Sequence, residues 1–306
     1  MCGIAGFVNL DGAPADPRVL AAMMDLVRHR GPDDCGTRCV SLRGGIAETA
    51  LGFHRLSILD TSPLGHQPMT GADGAITVLF NGEIYNALDH QPGLESAGYR
   101  FKSRSDAEVI LALYERYGID GLVERLNGMF AIVIADSRRG VVHLVRDHFG
   151  IKPLYWSQCG QTLMFASEAK AFLAHPAFRA GIDPAQVDEL LAFRYVAGGG
   201  SLLNGVRHVP PGHRAAITPA GITTTRYWTI PDYPEKPAIT KADAVDRLGE
   251  LLQRSVRAQL RSDVAVGSQL SGGIDSSLRN CARTLRCSSS PSRSTASAFV
   301  IAGFSG

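Results

Sequence analysis

No apolar run in the chain approaches the roughly 18 to 20 residues that a membrane helix requires, and residues 1–10 lack the charged-then-apolar layout of a secretory signal. A cytoplasmic protein without a membrane partner is expected. Neither sign of charge prevails: 31 Lys and Arg stand against 29 Asp and Glu, a net of +2, with no basic block, so nucleic acid is not an expected partner. Cysteine is sparse. Cys2, Cys35, Cys39, Cys159, Cys281 and Cys287 are scattered through 306 residues, which is not the framework of a small secreted disulfide domain, and reduced thiols follow. Cys35 and Cys39 with His29 lack a second ligand pair at zinc spacing, so no metal ion is expected there.

What the chain does have is length for about two domains and ample apolar content for a buried core. Up to about residue 228, short apolar segments alternate with turn residues and a few helices, the pattern of an α+β layered domain. Asp16 and Pro17 supply a cap and first turn for a helix through Leu20, Met23, Met24 and Val27, with Gly31-Pro32 as its stop. Ser105-Asp106-Ala107-Glu108 forms a capping box for a helix ending near Gly118. Residues 76–80, 129–135, 141–145 and 162–166 read as antiparallel strands. Asp183-Pro184 opens a further helix, and Pro210-Pro211-Gly212 forces a turn. The proline-rich stretch 229–237 is a linker. Beyond it, Thr240 caps an amphipathic helix carrying Val245, Leu248, Leu252, Val256 and Leu260, followed by an expected strand over 264–270 and a glycine-containing loop.

A cysteine at position 2 permits removal of the initiator methionine and then places a thiol and a free amine on one residue. The amine titrates near pH 8 and the thiol near 8.5, so the amine or a bridging water accepts the thiol proton at neutral pH without a histidine. Alone, such a cysteine is more often structural. Its company is more telling: Cys2-Gly3-Ile4-Ala5-Gly6, Arg28-His29-Arg30-Gly31-Pro32-Asp33, His54-Arg55-Leu56-Ser57-Ile58 and Asn81-Gly82-Glu83-Ile84-Tyr85-Asn86 follow in order. Ser105-Asp106, the run Arg146-Asp147-His148-Phe149-Gly150-Ile151-Lys152-Pro153-Leu154-Tyr155 and Ser167-Glu168-Ala169-Lys170 continue the series.

With these blocks the chain resembles the class II glutamine amidotransferases of the N-terminal nucleophile superfamily, and within them the glutamine-hydrolysing asparagine synthetases, through about residue 277. The resemblance implies a four-layer αββα domain over 2–228 with Cys2 at the start of a strand. It also implies glutamine as substrate and a γ-glutamyl thioester on Cys2, with no cofactor needed for glutamine hydrolysis. Arg55 matches the arginine that grips the glutamine carboxylate; a surface salt bridge is the plainer reading. Asp106 and Glu83 match positions that meet the substrate ammonium, and stabilisation of a helix dipole is the plainer role of Asp106. Asn81 and Gly82 match the oxyanion donors, against a simple Asn-Gly turn.

Leu270-Ser271-Gly272-Gly273-Ile274-Asp275-Ser276 lacks the lysine of the common G-x-x-x-x-G-K-[ST] phosphate loop and resembles the pyrophosphate loop of ATP pyrophosphatases. Leu270, Ser271, Gly272, Gly273, Asp275 and Ser276 are its expected ATP-binding residues. The resemblance implies the start of an α/β synthetase domain over 238–278, in which ATP and Mg²⁺ activate aspartate for the ammonia to displace AMP. Residues 279–297, RNCARTLRCSSSPSRSTAS, contain no Asp or Glu and little apolar surface, so an aberrant, poorly packed tail is expected over 279–306. The expected protein is a glutaminase whose synthetase half is truncated or frame-shifted and non-functional. An amidotransferase for another carboxylate in polysaccharide or peptide modification and an inert binding module are the alternatives. Oligomeric state stays open, a homodimer being one arrangement. His143, His148 and His175, Lys152 and Lys170, and Trp156 and Trp228 take structural or positional readings.

Overall fold

A computed structural model describes residues 1–42, 47–232 and 239–267. The chain divides into two compact units, Met1–Thr229 and Ile230–Gly306.

The first unit contains twelve described strands: β1 (Gly3–Asn9), β2 (Asp34–Leu42), β3 (Ala47–Arg55), β4 (Met69–Thr70), β5 (Ile76–Ile84), β6 (Gly128–Asp136), β7 (Val141–Arg146), β8 (Tyr155–Cys159), β9 (Thr162–Ala166), β10 (Val206–His208), β11 (His213–Thr218) and β12 (Gly221–Arg226). Its helices are α1 (Pro17–Asp25), α2 (Ala87–Ser96), α3 (Asp106–Val123) and α4 (Pro184–Phe193). Two six-stranded antiparallel sheets result, in the orders β10-β8-β9-β1-β3-β2 and β12-β11-β7-β6-β5-β4.

Three apolar layers separate four structural layers. Leu20, Met23, Met24 and Val27 of α1 and its exit pack with Ala5, Phe7 and Ala50 on the outer face of the first sheet. Ile4, Val8, Leu51 and Phe53 of that sheet meet Leu79, Val133, Leu144 and Ile217 of the second between the sheets. Val78, Phe80, Ile84, Ile132 and Ile134 then pack on Ala107, Ile110, Leu111 and Tyr114 of α3. The period-two alternation of β5 explains its part in two cores: its even-numbered residues face α3, and its odd-numbered ones face the first sheet. This is the α+β, four-layer αββα arrangement.

Local signals hold with instructive differences. Asp16 caps α1 as expected, but the helix ends at Asp25, and a 3₁₀ turn over Arg28–Arg30 carries the chain to Gly31. Val27 leaves helical geometry while staying fully buried, which lets Arg30 turn inward. Ser105 caps α3, whose axis breaks at Gly118 (φ +67°) as expected; it resumes because Ile119, Leu122 and Val123 still have core to bury. Strand β5 runs four residues past the expected end at Phe80, so Asn81-Gly82 is extended backbone and not a turn.

In the second unit, Thr240 caps α5 (Lys241–Gln259), its hydroxyl accepting the Asp243 N–H. The strand expected over 264–270 is not formed across its described part, 264–267. The Ser262 hydroxyl accepts the Val264 N–H and donates to the Val264 carbonyl, a local alternative to a strand ladder. The expected ATP loop, residues 270–276, and the tail over 279–306 lie outside the described residues.

Candidate active site

Cys2 immediately precedes β1, whose register on β3 pairs Gly3 with His54. One strand turn away, the Leu56 N–H points at the Cys2 Sγ from 3.4 Å, and the thiol reaches the Leu56 carbonyl at 3.7 Å. The Cys2 N–H donates to Asn81 Oδ1 at 3.1 Å, across the space between the two sheets. Burial pushes the Cys2 thiol up; the Leu56 N–H, the chain's terminal amine, Arg55 and Lys152 each pull the other way.

Asn81 is 2% exposed and on the inward face of β5. Its Nδ2 is buried without a hydrogen-bond partner among the described residues. Leaving a buried amide donor unsatisfied costs about 1–3 kcal/mol, so this N–H is open to a further hydrogen bond. Next in the strand, Gly82 stands opposite Phe130 of β6. A Cβ on Gly82 would lie 2.1 Å from the Met129 carbonyl oxygen, so only glycine lets β5 and β6 pair here. The Phe130 N–H and carbonyl are taken by Asp147, away from β5, so the Gly82 N–H also points away from β6. On that same edge the Phe80 N–H is taken by Gln67 Oε1 at 2.6 Å and the Ile84 N–H by Asp106 Oδ2 at 2.8 Å. Gly82 lies between these two capped positions.

Arg55 ends β3 and is buried. Its guanidinium donates to the carbonyls of Ser62 (3.1 Å), Leu59 (3.1 Å) and Asp60. Gly65 makes this possible, because a Cβ there would lie 2.0 Å from Arg55 Nη2. The Asp60 carboxylate accepts from the Ser62 hydroxyl and, at 2.7 Å, from the Arg104 N–H. Residues 60–62 and Leu64 with Lys102, Ser103 and Arg104 enclose a cavity of about 240 Å³. Neither Cys2 nor Asn81 lines it, so it flanks the Arg55 loop and is not the thiol's own surroundings.

Asp106, 3% exposed, is the first residue of α3 and ties that helix to the end of β5 through Ile84. Glu83 is also buried, on the same face of β5 as Asn81. The structure thus brings Cys2, Arg55, Asn81, Gly82, Glu83 and Asp106 onto the facing ends of β1, β3 and β5 and the start of α3.

Three further groups join them. Arg30, 8% exposed, donates through Nε to the Cys2 carbonyl at 2.8 Å and through Nη1 to Glu168 Oε1 at 2.9 Å. Burial alone would raise the Glu168 carboxyl; the hydrogen bonds from Arg30, Lys170 and His29 overcome it and hold the group at about 2. Ser167 Oγ accepts the Ile4 N–H at 3.0 Å. Lys152, 8% exposed, is held down by burial, and it acts electrostatically on Cys2 and Glu83. Arg30, Ser167, Glu168 and Lys152 all lie inside the sequence blocks, but nothing in their spacing shows that residues 138 apart meet. Lys170, given a positional reading, is the surface end of that network, 3.0 Å from Glu168.

His143 is pushed to about 4 by burial, and His148 packs edge-on against Tyr227 and Trp228. Among the described residues no helix is long and apolar enough to cross a membrane.

Comparison with known proteins follows the same division. A family model described as a glutamine amidotransferase domain matches residues 1–228, and one described as asparagine synthase matches residues 247–296. "Asparagine synthetase [glutamine-hydrolyzing] 3" of Bacillus subtilis is 34% identical over 281 residues, covering 90% of this chain and 44% of that protein. "Amidase chry2" of Gibberella zeae is 34% identical over 292 residues, covering 90% of this chain and 42% of that protein. The chain therefore spans about two fifths of the length of these relatives. Among solved structures, the glutamine phosphoribosylpyrophosphate amidotransferase of B. subtilis, complexed with ADP and GMP, superposes with a TM-score of 0.56 at 19% identity, over 92% of this chain and 64% of that one. That likeness concerns the fold.

Proposed function

The chain belongs to the glutamine amidotransferase family, and on that footing we propose that it hydrolyses glutamine to glutamate and ammonia through a γ-glutamyl thioester on Cys2. The observation that carries this reading is the Asn81 side chain, which holds the Cys2 nitrogen with one end of its amide while the other end is buried and unpartnered.

Removal of Met1 turns the Cys2 nitrogen into an α-amine that keeps its hydrogen bond to Asn81 Oδ1. That amine, directly or through one water, takes the thiol proton; the thiolate attacks the substrate's side-chain amide carbon, and the carbonyl oxygen becomes an oxyanion. Asn81 Nδ2 and the Gly82 N–H are the donors for it, fixed before the charge develops. The proton returns to the leaving nitrogen, ammonia departs, and water hydrolyses the thioester to glutamate and free Cys2. Atoms balance as glutamine plus water.

Substrate orientation falls to charge. Three of the five Arg55 N–H groups are committed to loop carbonyls, and the other two are available for the glutamine carboxylate. Asp106 and Glu83 supply negative charge toward the ammonium. The Leu59–Ser62 carbonyls hold the guanidinium in one pose, so the clamp needs no reorganisation on binding.

The asparagine synthase match over 247–296 supports a further use of the ammonia, ATP- and Mg²⁺-dependent amidation of aspartate. Residues 279–297 are rich in arginine and serine, yet the asparagine synthase match runs through residue 296; glutamine hydrolysis alone is the part of the activity that rests on the described site. A second reading, in which the acceptor carboxylate is not aspartate, draws only on the fact that one relative is named as an amidase and not as an asparagine synthetase.

Glutamate release by purified wild type and Cys2→Ala tests the proposal. Release by the wild type alone is expected; equal release by both removes Cys2 from the chemistry. Asparagine formed from aspartate, ATP and glutamine by the same preparation would overturn the restriction to hydrolysis.

A further inference from the structure

The loop after β7 carries a buried lysine that glutamine hydrolysis, as derived above, does not use. Its backbone is fixed with unusual completeness. Asp147, fully buried, accepts the Phe149 and Ile151 N–H groups on Oδ1 at 3.1 and 3.0 Å, and those of Phe130 and Lys152 on Oδ2 at 3.1 and 3.0 Å. From the other side, Arg146 donates through Nε to the Lys152 carbonyl at 3.0 Å, through Nη2 to the Gly150 carbonyl at 2.7 Å and through Nη1 to the Val209 carbonyl at 2.9 Å. Gly150, at φ +68°, makes the turn that closes this cage.

The cage is joined to the reaction centre by one strand. Phe130, whose N–H shares Asp147 Oδ2 with Lys152, stands directly opposite Gly82. Burying an ammonium is costly unless it is paired. Among the described residues Lys152 Nζ makes no hydrogen bond or ion pair, and the atom itself keeps some accessible surface although the residue is buried. The charged groups that face it are Cys2 from the start of β1, Arg30 from the 3₁₀ turn, Glu83 from β5 and Asp147 from its own loop. Around the Cys2 thiol and the Met1 amine that precedes it before processing, Arg55, Arg30 and Asp33 complete the set.

We propose that Lys152 is a positioning residue for the Cys2 centre, its ammonium, carried on a backbone held by Asp147 and Arg146, favouring the thiolate and keeping the neighbouring terminal amine in its proton-accepting form. The proposal rests on the glutaminase reading for its consequence, but not for its geometry. The physical logic is one of sign. A fixed positive charge disfavours a second one on the amine and favours a negative one on sulfur, so it opposes the effect of burial on the thiol and adds to the effect of burial on the amine. The cage fixes the backbone from which the largely buried side chain extends, so the charge is carried on a set base and not on a mobile surface loop.

The test compares wild type, Lys152→Met and Lys152→Arg on the Met1-processed chain. Two readouts are taken across pH: alkylation of Cys2 by iodoacetamide, followed by mass spectrometry of the amino-terminal peptide, and kcat/KM for glutamate release. With Met, the alkylation midpoint and the acidic limb of kcat/KM are expected to move up by about one pH unit or more, as for loss of a neighbouring opposite charge. With Arg, both are expected to return toward wild type. Reduced activity in Lys152→Met with unmoved midpoint and limb would overturn the proposal and leave Lys152 a packing residue. The alkylation arm needs no turnover, so a wild type that releases no glutamate would defeat the functional reading alone, while the alkylation midpoints would still judge Lys152.

Discussion

Asn81 meets Cys2 with its two amide atoms in different conditions: Oδ1 accepts the Cys2 N–H at 3.1 Å, whereas Nδ2 is buried and has no hydrogen-bond partner among the described residues. On the proposed glutaminase reading, the unpartnered Nδ2 is the donor that meets the oxyanion. Asn81→Ala is therefore expected to lower kcat for glutamate release by about 100- to 1,000-fold while changing KM little. Steady-state kinetics on the purified variant checks this; a rise in KM with kcat intact would make Asn81 a binding residue.

Gly82 is constrained by space. Because an added Cβ would lie 2.1 Å from the Met129 carbonyl oxygen, Gly82→Ala must push β5 away from β6. A loss of about 2–3 kcal/mol is expected from such overpacking, together with loss of glutaminase activity even at temperatures where the variant is folded. Thermal unfolding followed with activity on the same sample separates the two effects.

Gly65 holds the corresponding place beside Arg55, where a Cβ would lie 2.0 Å from Nη2. Gly65→Ala displaces the guanidinium from the Leu59, Asp60 and Ser62 carbonyls without touching Cys2 or Asn81. The expected result is a rise in KM for glutamine of about 10- to 100-fold, the worth of one charged hydrogen-bonding group. An unchanged KM would remove Arg55 from substrate binding.

Glu168 gives a pH prediction. Its folded carboxyl is held near 2 against an ordinary 4.5, by Arg30, Lys170 and His29 working against burial. A depressed carboxylate contributes stability above its unfolded value and loses it as pH falls through the folded one. Glu168→Gln is thus expected to be less stable than wild type by about 1–2 kcal/mol at pH 7, the figure being reduced for the solvent that reaches a partly exposed group. The gap should narrow as pH falls from about 4.5 toward 2. Urea denaturation of both proteins at several pH values measures it; a gap independent of pH would mean that the network contributes by packing.

Much of this was readable in the sequence where the cause is local. Asp16-Pro17, Ser105, Asp183-Pro184 and Thr240 announce helix starts because a cap needs only its next few residues, and the structure places α1, α3, α4 and α5 there. Helix α2 was not visible, since it carries Pro92 within it and has only a weak apolar stripe. The extension of β5 through Asn81-Gly82 was hidden because that pair is also a turn signal; the long partner strand β6 decides the matter. Of the candidate site, the motif blocks named Cys2, Arg55, Asn81, Gly82, Glu83 and Asp106, which the structure places at neighbouring element ends. The Arg30–Glu168 pair and the Lys152 cage were not deducible, because each depends on which strand ends the two sheets bring together.

The central claim is that the amino-terminal cysteine itself carries the substrate's acyl group. Chain mixed with glutamine, quenched in acid during turnover and digested, should yield by mass spectrometry an amino-terminal peptide that begins at Cys2, lacks Met1 and bears a γ-glutamyl adduct. The adduct should be absent from Cys2→Ala. Active enzyme with Met1 intact, or with the adduct on any other residue, would contradict the account.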